Sequence, residues 1–177
     1  MTAPKRGMVI WLMGPTSAGK TTLAASLLVR LREKGVPAIF YDGDEMRALI
    51  GESHGFSTTD RMRTVSGLVH LANKAADAGL HVIVAALTAN EDARRYVHEN
   101  IADVLVGYVH CPLEVCAERD PKGLYERARN GEIDTLIGYN ADYLPPNNPA
   151  IVLNTHQKSV KVLTTELEEI LNSNMGR

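Results

Sequence analysis

Cysteine is scarce in this chain of 177 residues: there are two, Cys111 and Cys116, without CxxC spacing. Two are too few for a disulfide framework, so buried, inert thiols in a reducing compartment are expected. Neither sign of charge is in excess, because 19 Lys and Arg stand against 21 Asp and Glu, leaving a formal charge of −2. That balance gives no footprint for nucleic acid or for an anionic membrane. No apolar run approaches the roughly 20 residues of a membrane span. The basic start, Met1 to Gly7, leads into only six apolar residues, which suits a strand and not a secretory signal. Internal repeats, low-complexity tracts and an interdomain linker are also missing. A cytoplasmic protein with one domain over 1–177 is the expectation, and 45% hydrophobic residues suffice for its core.

What the chain does have is Gly14-Pro15-Thr16-Ser17-Ala18-Gly19-Lys20-Thr21, followed by Thr22. This is G-x-x-x-x-G-K-T, set between an apolar run (Met8 to Met13) and an amphipathic helix beginning near Lys20. Its glycines let backbone N–H groups turn inward around a polyphosphate, and the helix adds its positive N-terminal end. Lys20 reaches toward β- and γ-phosphates, and the Thr21 hydroxyl is placed to ligate Mg2+. Asn73-Lys74 with Asp77 imitates a guanine-reading N-K-x-D. Its aspartate is one position late and it lies within a helical pattern, which argues against a GTPase.

Strand and helix signals alternate. After the first strand, Leu23, Leu27, Leu28 and Leu31 line one helical face, and Gly35 with Pro37 ends that helix. Ala38–Asp42 reads as a second strand, His81–Ala86 as a third, Val104–Val109 as a fourth and Ile151–Leu153 as a fifth. A long helix spans about Thr59 to Ala78, and a last one carries Val160, Leu163, Leu167, Ile170 and Leu171. Apolar strands separated by helices predict an α/β fold, a mostly five-stranded parallel sheet between two helical layers. Ligands in such sheets bind beyond the carboxyl ends of the strands. That rim holds the phosphate loop, Asp42-Gly43-Asp44 and Thr88. The polar stretch from 120 to 148 reads as a lid.

Asp42 and Asp44 flank a glycine at the end of the second strand, facing the γ-phosphate. One of them accepts a proton from an attacking hydroxyl, or the pair holds Mg2+ through waters. The bland alternative is an Asp-Gly turn capping a helix at Glu45. Arg47 suits a fixed anion on the acceptor. Ser57 or Thr58 caps the long helix, and Arg61 in its first turn sits against the helix dipole, as an anion-binding residue does. Phe56 either stacks on a base or packs in the core. In the lid, Arg119, Lys122, Arg127 and Arg129 concentrate cations where phosphoryl charge needs neutralising.

Together these residues resemble the adenylylsulfate kinase family, P-loop kinases that phosphorylate the ribose 3′-hydroxyl of adenosine 5′-phosphosulfate. The matching pieces are GPTSAGKTT at 14–22, DGDEMR at 42–47, GFSTTDR at 55–61, DAGL at 77–80 and PLEVCAERDPKGLYERARNGEI at 112–133. The resemblance implies that Lys20, Thr21, Arg119 and Thr155 serve ATP. Asp42 and Asp44 would serve the acceptor hydroxyl and the metal, with Asp44 beside Thr21 on Mg2+. Arg47, Phe56, Arg61, Thr64, Leu87, Thr88 and Leu136 would surround the acceptor nucleotide. Lys122, Leu124 and Tyr125 would act from the lid. A homodimer is implied as well.

The departures from the family pattern cluster on the acceptor side. Thr64 stands where an asparagine is usual, and Ser66-Gly67 replaces an arginine pair. Ala85-Ala86-Leu87-Thr88-Ala89-Asn90 replaces S-F-I-S-P-Y, so Thr88 corresponds to the serine that some members are described as phosphorylating. Leu136 replaces the phenylalanine that would sandwich an adenine against Phe56, and His156 follows Thr155 in place of aspartate. Loss of one aromatic face costs roughly 1–3 kcal/mol of stacking. The leading expectation is transfer from ATP to adenylylsulfate. The second keeps the reaction but takes another acceptor, such as cytidine diphosphoramidate of capsule modification. The third is a nucleotide-binding module without catalysis, against which Lys20, Thr21, Asp42 and Asp44 all speak.

Overall fold

Every residue of the first strand, β1 (Val9–Met13), is buried, and its alternation assigns the two faces of the sheet. Ile10 and Leu12 face one core cluster, while Val9, Trp11 and Met13 face another. A strand covered on both sides must lie centrally, and it does. The computed structural model describes residues 5–50 and 57–175. In it β1 pairs on one side with β3 (His81–Ala85) and on the other with β4 (Leu105–His110). The sheet continues to β2 (Ala38–Asp42) beyond β3 and β5 (Ile151–Asn154) beyond β4. All five strands are parallel, in the order β2-β3-β1-β4-β5.

Helix α1 (Lys20–Glu33) covers the face of Ile10 and Leu12, burying Leu23, Leu27 and Leu31. Leu163, Leu167 and Leu171 of α7 (Val160–Met175) join the same cluster. The opposite face is covered by α3 (Thr58–Asp77), through Val65, Leu68, Val69 and Ala72, and by α4 (Glu91–Asn100), through Ala93 and Val97. On the α1 side α5 (Leu113–Arg119) and α6 (Leu124–Arg129) bury Cys116, Tyr125 and Ala128, and on the α3 side α2 (Gly43–Ile50) packs through Met46. This is the three-layer α/β architecture expected from the alternation of strand and helix patterns.

Strand boundaries agree with the sequence pattern to within a residue at either end. Helix α4 left no apolar period to read, because Glu91, Asp92, Arg95 and His98 fill most of its surface and only Ala93, Arg94 and Val97 are buried. The capping alternative at Asp42 and its site role coexist. Asp42 Oδ1 accepts the Asp44 N–H at 2.7 Å while α2 opens at Gly43, before Glu45. Ser57 caps α3, its hydroxyl oxygen accepting the Asp60 N–H. Cys111 and Cys116 are buried free thiols, and burial with the neighbouring Cys111 pushes the Cys116 thiol up to about 12. Phe56 lies outside the described residues.

Candidate active site

The carboxyl ends of β1, β2 and β3 open onto one cleft of about 780 Å3. Its floor is the loop from 14 to 19. Gly14 is forced by β4: a Cβ there would lie 2.3 Å from the Val109 carbonyl oxygen. Ser17 (φ 64°) and Gly19 (φ 100°) both take left-handed backbone, the geometry that turns successive N–H groups toward a common anion. Helix α1 starts from Gly19 with no side-chain cap and no acidic residue in its first turn. Its positive end is therefore left to a ligand. The Ser17 hydroxyl is buried and has no hydrogen-bond partner among the described residues.

Lys20 folds back over this loop, its ammonium donating to the carbonyls of Gly14 (2.9 Å) and Pro15 (2.7 Å). Burial lowers its pKa to about 8, against the opposing pull of Asp44. Desolvation disfavours the charged form, and two carbonyl dipoles do not replace an anion. Thr21, on the next residue, donates its hydroxyl to Asp42 Oδ2 at 2.6 Å. Asp42 is buried, 6% exposed, with one oxygen on α1 and the other on the α2 backbone. Asp44 pairs instead with Lys122 of the 120–148 segment. The two aspartates thus face different partners, which the sequence alone left open.

On the other flank of the loop, the Thr155 hydroxyl donates to the Ala18 carbonyl at 2.7 Å. Arg119 donates to Thr155 Oγ1 (3.2 Å) and to its carbonyl (2.9 Å). These two residues, 36 apart in sequence, form one edge of the cleft, and Thr22 also lines it. The Tyr125 hydroxyl donates to the Thr16 carbonyl at 3.1 Å, so the 120–148 segment is tied to the phosphate loop itself. Burial pushes that phenol up out of its ordinary range.

Arg47 of α2 and Arg61 of α3 converge on the opposite end of the cleft. Burial, and then the nearby Arg47 charge, lowers the Arg61 pKa. Arg61 also donates to the Thr135 carbonyl at 2.8 Å, linking α3 to the 120–148 segment. Two cations converging in a partly desolvated corner suit an anion held between them. Thr64 and Leu136 line the wall there and both are buried, as is Thr88; Leu87 and Leu124 complete it. The Thr64 hydroxyl donates to its own helix at the Asp60 carbonyl, 3.1 Å away. The Thr88 hydroxyl accepts from Trp11 Nε1 at 2.9 Å and is 4% exposed, so it is enclosed beneath the rim. The cleft also takes in Asn90, Pro121, Ile137 and Lys158, which the sequence reading missed. Lys158 belongs to no motif, and only its position just before α7 places it there.

No cluster of three or more metal-ligating His, Cys, Asp or Glu side chains occurs among the described residues. A preformed protein cage is not what Mg2+ uses beside a nucleotide, where one or two oxygen donors combine with phosphates and waters. The Thr21 hydroxyl and Asp42 carboxylate, hard oxygens in contact at the exit of the phosphate loop, fit that requirement.

A family model described as Adenylylsulphate kinase matches residues 6–154. The chain belongs to this family. Adenylyl-sulfate kinase of Rippkaea orientalis is 38% identical over 170 residues, covering 94% of each chain. That of Gloeothece citriformis is 36% identical over 168 residues, covering 95% of this chain and 92% of its relative. Among solved structures, the Mycobacterium tuberculosis APS kinase CysC in complex with AMPPNP and APS superposes with a TM-score of 0.89. It shares 35% identity, over 96% of this chain and 99% of that one. Membership makes the protein an ATP-dependent kinase that phosphorylates a hydroxyl group.

Proposed function

We propose that the protein transfers the γ-phosphoryl group of ATP to the ribose 3′-hydroxyl of adenylylsulfate. The observation that carries the proposal is the division of the cleft. A phosphate loop with Lys20, Thr21 and the Arg119–Thr155 edge lies on one side, and the Arg47–Arg61 pair lies on the other. The carboxylates of Asp42 and Asp44 line the same cleft. ATP is read on the first side, and the anionic phosphosulfate of the acceptor on the second.

In this reading the inward N–H groups and Lys20 hold the β- and γ-phosphates in place. Thr21 and Asp42 hold Mg2+, which supplies charge neutralisation of the phosphates when bound. Asp44, which Lys122 holds in place, accepts the proton of the acceptor hydroxyl. Its orientation supports that role more than the metal role implied by the family resemblance. The in-line arrangement needs little covalent work from the protein, only position and charge. A homodimer is proposed from the family resemblance.

A specific observation keeps a second acceptor in view. The wall opposite the base carries aliphatic Leu136, and Thr64 spends its hydroxyl on the helix backbone. Cytidine diphosphoramidate, with a smaller base, is the competing acceptor. Release of ADP measured with adenylylsulfate, cytidine diphosphoramidate and simple nucleotides separates the two. A kcat/KM for adenylylsulfate at least about 30-fold above the others is expected, an ordinary margin for a site built to pair polar groups. Preference for the cytidine compound would overturn the acceptor assignment, and equal slow turnover of all would overturn the dedicated kinase.

The low pKa of Lys20 gives this reading a pH signature. Only the ammonium form attracts the triphosphate, and the free protein loses that form above about 8. Bound phosphates raise the pKa again, so binding above that point takes up a proton. ATP affinity is expected to be flat near pH 7 and to fall toward tenfold per pH unit above about 8. Calorimetry in buffers of different ionisation enthalpy would register uptake approaching one proton near pH 9. Affinity unchanged across that interval would contradict it.

A further inference from the structure

Arg94 of α4 is buried on the acceptor side of the sheet, yet nothing in the phosphoryl-transfer scheme uses it. A buried guanidinium needs its donors satisfied, and its partners here are mostly main-chain carbonyls. Nε donates to Thr88 O at 3.0 Å, one terminal nitrogen to Pro145 O at 3.1 Å, and the other to Leu144 O. Its carbon lies 5.3 Å from the centroid of the Tyr143 ring, a cation–π contact. The nearby carboxylate of Glu91 is 3.9 Å away and exposed, so it contributes little.

The segments that Arg94 joins are the cleft rim after β3 and the C-terminal root of the lid. Thr88 holds left-handed backbone (φ 42°), which a β-branched residue adopts only under constraint. That constraint comes from Arg94 on its carbonyl and Trp11 on its hydroxyl. Leu87, next to it, accepts the Tyr143 hydroxyl at 3.2 Å. Tyr143 in turn stacks on Tyr108 of β4, with centroids 6.1 Å apart. Rim and lid root are therefore one braced unit, and among the described residues neither Arg119 nor Thr155 hydrogen-bonds to Arg94, Tyr143, Leu87 or Thr88.

We propose that Arg94 is a positioning residue for acceptor binding: it fixes Leu87 and Thr88 at the acceptor wall and anchors the lid at 143–145. The inference rests on the assignment of that wall to the acceptor. Its test uses the full chain with Arg94→Ala, Arg94→Lys and Tyr143→Phe, and whichever acceptor the wild type turns over. For Arg94→Ala the acceptor KM is expected to rise about 10- to 100-fold, as a displaced positioning group costs. The ATP KM should stay within about twofold, since the phosphate loop does not lean on this brace. Arg94→Lys should recover part of the loss, because one ammonium cannot span both Thr88 and the lid root. Added guanidinium ion should restore Arg94→Ala in part.

Parallel weakening of ATP and acceptor, an unchanged acceptor KM, or no gain from lysine or guanidinium would each overturn the proposal. If Arg94→Ala does not fold, Tyr143→Phe decides, since it deletes only the hydroxyl that bonds Leu87 and interacts with Arg94. A raised acceptor KM supports the brace and an unchanged one refutes it. Should the wild type turn over no acceptor at all, the assignment of function fails while amide exchange still tests the brace. Exchange should quicken at 86–90 and at the amides of Tyr143, Leu144 and Asn147 in Arg94→Lys and not at 16–22, and equal quickening of all three would refute it.

Discussion

Replacing Asp42 with asparagine is expected to lower kcat by about 10³-fold while leaving the fold intact. The carboxylate accepts the Thr21 hydroxyl on Oδ2 and the Asp44 N–H on Oδ1. Asparagine has the same shape and keeps both contacts. Its oxygen takes the Asp44 N–H, and its amide donates to Thr21 once that hydroxyl turns. What disappears is the negative charge in a buried position beside Thr21. The requirement for Mg2+ should therefore rise with the fall in kcat, while the melting temperature stays near that of the wild type. Asp44→Asn in parallel should lower kcat with the Mg2+ requirement unchanged, because its carboxylate faces Lys122. Turnover of Asp42→Asn within about threefold of wild type would remove Asp42 from the machinery.

The second large effect is at Lys20, where Lys20→Met should cost at least about 10³-fold in kcat/KM. Methionine preserves the unbranched stem and deletes the cation proposed to neutralise the phosphates. Stability should not fall with activity. The ammonium is desolvated enough to bring its pKa to about 8, so its burial is unfavourable in the free protein. Such opposition between function and stability is expected where a site is built for a ligand. Thermal melts without nucleotide measure it. A fall of more than about 4 °C, roughly 1 kcal/mol for a domain of this size, would contradict the expectation. The ammonium's bonds to Gly14 and Pro15 would then be holding the loop together.

The phosphate side of this site was legible because its requirements are local. Gly14, Gly19, Lys20 and Thr21 are adjacent in sequence, and a strand and a helix announce themselves on either side. The sheet was legible for a related reason, since strands buried on both faces leave continuous apolar runs. Interactions between distant segments were not. That Thr155 meets Arg119 and that Asp44 meets Lys122 came only from the resemblance or from the fold. The different partners of Asp42 and Asp44 depend on which way two side chains turn at one strand end, which no spacing encodes. Helix α4 and its Arg94 were missed outright. A charged residue in a polar segment looks solvated until the fold places backbone carbonyls and an aromatic ring around it.

The position of the transferred phosphate tests the central claim most directly. Purified protein would be incubated with Mg-ATP and adenylylsulfate, and the product's phosphorus and proton couplings mapped by NMR. A single new phosphomonoester on the ribose 3′-oxygen, formed in step with ADP, is the expected result. ADP release with no phosphate on that oxygen, or a phosphate carried elsewhere on the acceptor, would contradict it.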